Sequence, residues 1–225
     1  MIRISNLVYG YLVSIQYMNP SSIQNLLGES KLLYDHALNS NKYTVPAFLS
    51  SWIAWEALRT RFIRVVIHHK GWLLKDADSV LAKKRVSSMS AAESVISGLG
   101  LKHPHQWSKK SAKGWKALAE IEPLRNRLIH GFKSMDPVRV QAATKVVICS
   151  VSNHDWLSTV SIVDESKEKD QIFVGSLLKH RRSSKITHNR SLQELAEIMN
   201  VDLNTGTNPL PSLDRLEEMI KIFTF

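Results

Sequence analysis

The chain has 225 residues and a mass of 25.5 kDa, enough for one compact domain with an extension and too little for two large ones. An apolar share of 44%, with 6 Trp, 6 Phe and 5 Tyr, excludes wholesale disorder, and 9 Gly and 7 Pro are too few for a turn-rich all-β chain. Thirty Lys and Arg against 20 Asp and Glu give a net charge of +10, a field that attracts polyanions, nucleic acid before an anionic membrane.

The dominant hydrophobic period is helical, so the expected class is all-α. Residues 4–18 are apolar, but Ser5, Asn6, Ser14 and Gln16 interrupt them. That run is shorter than the ~20 apolar residues of a membrane span and carries no signal-peptide cleavage pattern, so a cytoplasmic protein is expected. Glu29 to Leu38 reads as a short amphipathic helix ended by Asn39-Ser40-Asn41. Pro46 then stands in the first turn of a long helix reaching about His69. In it Phe48, Trp52, Trp55, Phe62 and Val66 form one apolar stripe, read as core, and Arg59, Arg61 and Arg64 are read as solvated.

Asp76 to roughly Leu99 is predicted as a third helix, diluted by Ser87, Ser88, Ser90 and Ser94. His103 and His105 follow in a loop. No Cys, Asp or Glu stands at a familiar ligand spacing from them, so no metal is expected there. A fourth helix runs from about Ala112 to Ile129 with Gly131 as its stop, and Pro123 inside it implies a kink or a fresh start. Pro137 opens a fifth helix with Val140, Ala143, Val147 and Val151 on its inner face. The single cysteine, Cys149, excludes an intramolecular disulfide and lies in the apolar run KVVICS, where a buried thiol is the expectation.

Beyond Thr159 the character changes. Asp164 to Asp170 reads as a charged loop, Lys179 to Arg190 as a basic run without an acid, Ser191 to Val201 as an amphipathic helix, and Leu213 to Phe223 as a last short helix. SLQELAEIMNV superficially resembles the first half of a helix-turn-helix, but a loop with Pro209 and Pro211 follows where a recognition helix belongs. The organisation read from the chain is a segment 1–21, a helical domain 22–158 and an extension 159–225. Charge is uneven along it: residues 102–145 hold 10 basic side chains and 3 acidic ones.

Within that basic stretch lies LRNRLIHGF, residues 124–132. On a helix Asn126 and His130 are one turn apart on one face, and Arg125 is about 140° away from His130. A histidine titrating near neutrality takes a proton from an RNA 2′-hydroxyl or gives one to a leaving 5′-oxygen. A guanidinium braces the phosphorus-centred transition state with two parallel hydrogen bonds, an amide orients either group, and no metal is required. The same three residues also suit a bland reading as helix-end caps and dipole partners.

Arg125-Asn126-Arg127-Leu128-Ile129-His130-Gly131 resembles the signature of the HEPN superfamily (higher eukaryotes and prokaryotes nucleotide-binding domain). The passage NSNKYTVPAFLSSWIAWEAL, residues 39–58, is similar to that family's first helical hairpin, and the resemblance covers roughly residues 22–158. It implies a bundle of about five helices with a mostly helical C-terminal extension, a homodimer, and a metal-independent endoribonuclease leaving 2′,3′-cyclic phosphate and 5′-hydroxyl ends, with no cofactor. It further implies a toxin or phage-defence effector, with an antitoxin or defence-system protein as a possible partner. Carried onto this chain, Arg125 braces the phosphate, His130 is the acid/base and Asn126 the polar helper, while Arg127, Lys109, Lys110, Lys113, Lys116 and Lys133 hold the RNA backbone. A catalytically silent nucleotide- or partner-binding module of the same fold is the alternative. Phe132 stands where the toxin branch tends to carry a modifiable tyrosine, so control by modification there is not expected.

Overall fold

A computed structural model describes residues 20–84, 86–131, 135–157, 160–164, 167–171, 177–178, 188–204 and 212–217. The architecture is all-α, and among the described residues the extension carries a two-stranded hairpin. Helix α1 (Pro20–Asn39) uses Pro20 at its first position, so Glu29–Leu38 is only its second half. It bends back through a short 3-10 turn into α2 (Thr44–His69).

Sixteen of the 26 residues of α2 are buried, so this helix has no solvated face of ordinary width and forms the axis of the bundle. The predicted stripe of Phe48, Trp52, Trp55, Phe62 and Val66 is buried throughout. Arg59 is a correction: it is fully buried, not solvated. Its position explains this, since 52, 55, 59, 62 and 66 repeat at spacings of three and four and Arg59 belongs to the apolar stripe.

The single helix expected over 76–99 is two, α3 (Leu74–Lys83) and α4 (Met89–Gly98). Ser88 ends the gap by accepting a hydrogen bond from the Ala91 amide, a cap that starts α4 anew. The serines read as dilution are thus partly punctuation. Helix α5 (Lys109–Ile129) begins at the Ser108 cap, runs through Pro123 without interruption, and ends at Gly131, whose φ of 65° suits a residue without Cβ. Helix α6 (Pro137–Ser152) starts at the Asp136 cap.

Helices α1, α2 and α6 pack together, with the Gln141 amide donating to the Ala37 carbonyl at 2.7 Å. Helix α5 lies across α2 on an aromatic cluster: Trp115 meets Trp55 edge-on at 5.9 Å, and Trp107 meets Trp115 at 5.3 Å and Phe62 at 5.9 Å. Gly114 lets α5 close on Trp156, because a Cβ there would sit 2.7 Å from the indole. Cys149 is exposed, against expectation. The inner face of α6 is Val140, Thr144, Val147 and Val151, and Cys149 and Val146 project to the other side, beside Lys145 in a shallow groove.

The extension holds strands β1 (Ser161–Asp164) and β2 (Lys167–Gln171), antiparallel, where a charged loop was expected. Helix α7 (Leu192–Met199) starts at the Ser191 cap and buries Leu195, Ala196 and Met199 against α3 and α4. Of the predicted last helix, 213–217 are helical and the remainder lies outside the described residues. No described helix is long and apolar enough to cross a membrane.

Candidate functional site

The last turn of α5 carries the Arg125–His130 motif on its two sides. Asn126, Arg127, Ile129 and His130 are exposed, and His130 is the capping residue, its amide donating to the Asn126 carbonyl at 3.1 Å. Arg125 turns the other way, toward α2. Its side chain is 22% exposed; the guanidinium donates to Glu56 Oε1 at 3.2 Å and to Asn126 Oδ1 at 3.1 Å, and its Nε is buried without a hydrogen-bond acceptor. The 140° offset expected from helix geometry is therefore realised as two different environments for the arginine and the histidine.

Glu56, which the motif reading did not include, organises the arginine. Its Oε1 also accepts from the Trp52 indole at 2.9 Å. Two more charged groups lie close to this pair. Arg59 donates to the Val86 carbonyl at 2.6 Å and contacts Met89 Sδ at 3.3 Å; Glu122 accepts from the Met89 amide at 2.9 Å. Burial pushes the Glu56 carboxyl above its ordinary range, against the opposing pull of Arg59 and Arg125. The same desolvation lowers the Arg59 guanidinium, with Glu56 and Glu122 restoring part of it. Glu56, Glu122, Arg59 and Arg125 thus form an internally neutral network tying α2, α4 and α5 together. The sequence signal for it was the acid in Trp55-Glu56-Ala57, one turn after Trp52, on a helix otherwise packed with apolar residues.

Lys109, Lys110, Lys113 and Lys116 are all exposed on the first half of α5, with Lys116 beside Glu120 at 3.8 Å. Lys113 and His130 are separated by about 25 Å of helix rise. These lysines and the motif therefore make a stripe along α5 and not a single pocket. Lys133 lies outside the described residues. His103 approaches Glu93 at 3.6 Å, and its ring lies 4.3 Å from that of His105 at a tilt of 43°. Among the described residues no three His, Cys, Asp or Glu side chains are grouped to hold a metal ion.

Chemically, the end of α5 offers a surface imidazole and amide with a cation stripe leading to them, and a guanidinium held half-buried behind them. No family model, curated protein or solved structure matches the chain.

Proposed function

We propose that the chain is a metal-independent endoribonuclease of HEPN type, working on RNA as a homodimer in a toxin or phage-defence setting. The observation that carries the reading is the placement of His130 and Asn126, exposed at the end of a helix whose solvent face bears Lys109, Lys113, Lys116 and Arg127. In this scheme His130 moves the proton as O2′ attacks phosphorus and the 5′-oxygen leaves, giving a 2′,3′-cyclic phosphate and a 5′-hydroxyl. Arg125 supplies the positive charge, and RNA running along α5 spans the lysine stripe: ~25 Å corresponds to about seven nucleotide steps at the stacked spacing of ~3.4 Å.

A second reading, a catalytically silent nucleotide- or partner-binding module, has its own support. The Arg125 guanidinium is already engaged by Glu56, so a phosphate must compete for it. Incubating the protein with total cellular RNA in EDTA, wild type beside His130→Ala, separates the two. Cyclic-phosphate fragments from wild type alone support the nuclease; intact RNA in both lanes, with retained RNA binding, favours the silent module.

A further inference from the structure

At the opposite end of α2 from Thr44, two histidines from distant parts of the chain stack face to face. His68, one residue before the end of α2, is 8% exposed, and its ring lies 4.8 Å from that of His188 at an interplanar angle of 30°. His68 Nδ1 faces the Trp72 carbonyl at 3.3 Å, so Nδ1 carries the hydrogen, and buried Nε2 is a bare lone pair with no hydrogen-bond partner. A second proton on this ring has no acceptor to meet.

Around this pair the extension is fastened to the bundle. The Trp72 indole donates to the Ser191 carbonyl at 2.9 Å, and the Arg190 guanidinium lies over the Trp72 ring at 3.6 Å while bonding Glu194. Lys83 donates to the Leu203 carbonyl, and Gly98 packs against Ile198. We propose that the stacked His68–His188 pair is a pH-operated latch that holds residues 188–204, with α7, on the core at neutral pH and releases them on acidification.

The charges facing His68 favour its neutral form. On α2 these are Arg64 and His69, and from the extension His188. Of the acids on the packed helices, Asp78 of α3 pairs with Arg64, Glu93 of α4 accepts from the Trp115 indole, Glu194 of α7 pairs with Arg190 and Glu197 of α7 accepts from Gln193, while Asp76 stands in the first turn of α3. Burial, the largest effect, holds the His68 imidazole below its ordinary value of 6.5; the hydrogen bond to the Trp72 carbonyl opposes it, and His188, His69 and Arg64 add to it. The sign follows: the docked state keeps its full stability above about pH 6.5 and loses it as the pH falls toward the lowered value. Because α7 covers α3 and α4, and Val86 and Met89 between them hold Arg59, the latch closes over the helices that clamp the buried charge network.

The test is hydrogen exchange of the full-length protein, read as protection factors from pH 7.5 to 5.5. The expected result is a loss of protection in the α7 amides that sets in below about pH 6.5 and steepens to at most about tenfold per pH unit, with α2 unchanged. His68→Phe, which keeps a stackable ring and cannot charge, is expected to abolish that pH response. If that variant does not fold, His188→Phe decides instead: it keeps the stack, removes one charge, and should shrink the response. A pH-independent α7 in wild type, an unaltered response in the folded variants, or parallel loss of protection in α2 would each overturn the latch.

Discussion

Arg125 is joined to Glu56 through an Nη2–Oε1 contact of 3.2 Å, while His130, five residues on along the same helix, is at the surface. The pair is half-buried, and its carboxylate has been moved into an environment that disfavours its charge more than the two arginines restore it. An ion pair of this kind fixes the direction of a side chain without adding much stability.

This gives the first prediction. For a carboxyl raised on folding, the stability it contributes is fully present below the ordinary 4.5 and is lost as pH rises through the raised value. Glu56→Gln, which resembles the protonated acid, is therefore expected to unfold at pH 7 within about 1 kcal/mol of wild type, or to be slightly more stable. Between pH 7 and pH 4 wild type should gain on the variant. Urea melts at both pH values measure this; a loss above about 2 kcal/mol at pH 7 would mean that Glu56 is a net stabilising charge.

Removing the two ends of the motif should have different signatures. His130→Ala takes away an exposed helix-end residue and is expected to change stability by about 1 kcal/mol or less. Under the nuclease reading it lowers cleavage by roughly 10²- to 10⁴-fold. Arg125→Ala strands the Glu56 carboxylate and is expected to cost about 1–3 kcal/mol as well as activity. Thermal melts beside the cleavage assay distinguish the two, and equal stability losses would contradict the geometry described for Arg125.

How much of this was legible in the sequence differs from residue to residue. The stripe Phe48, Trp52, Trp55, Phe62 and Val66 was readable because aromatic side chains at helical spacing have one energetically sensible destination. Arg59 sits in the same stripe, yet residue type argued for solvent; only the carbonyl of Val86 and the nearby acids, both remote in sequence, make its burial tolerable. Cys149 failed in the converse way. KVVICS is apolar all round, so burial depended on which side of α6 faces α1 and α2, and the chain alone does not say. The break at Ser88 was present as a cap residue but hidden among four serines. Within the motif, the 140° between Arg125 and His130 was calculable, whereas Glu56 lies 69 residues away and became visible only through tertiary packing.

Gly114 tests the seat of α5. A methyl placed there meets the Trp156 ring at 2.7–2.8 Å, and the indole is itself fixed by its bond to the Ser150 carbonyl at 3.0 Å. Gly114→Ala should gain helix propensity and still lose about 1–3 kcal/mol to overpacking. Differential scanning calorimetry is expected to show a melting temperature lower by about 2–4 °C per kcal/mol. An unchanged or higher melting temperature would mean that Trp156 can move aside.

The lysine stripe makes a prediction that does not depend on catalysis. Lys109, Lys113 and Lys116 lie within about 60° of one another around α5 and are exposed, so an RNA strand along that face has all three beside its phosphates. Each single-strand phosphate that a lysine no longer neutralises lowers the slope of log K against log salt by ~0.7. Replacing the three lysines with glutamine is therefore expected to reduce the slope by about 2, and to weaken binding far more in dilute salt than in concentrated salt. Fluorescence anisotropy with a labelled single-stranded RNA, titrated at several salt concentrations, reads this directly. If the triple variant keeps the wild-type slope, RNA does not run along the first half of α5, and binding is confined to the turn that carries Asn126, Arg127 and His130.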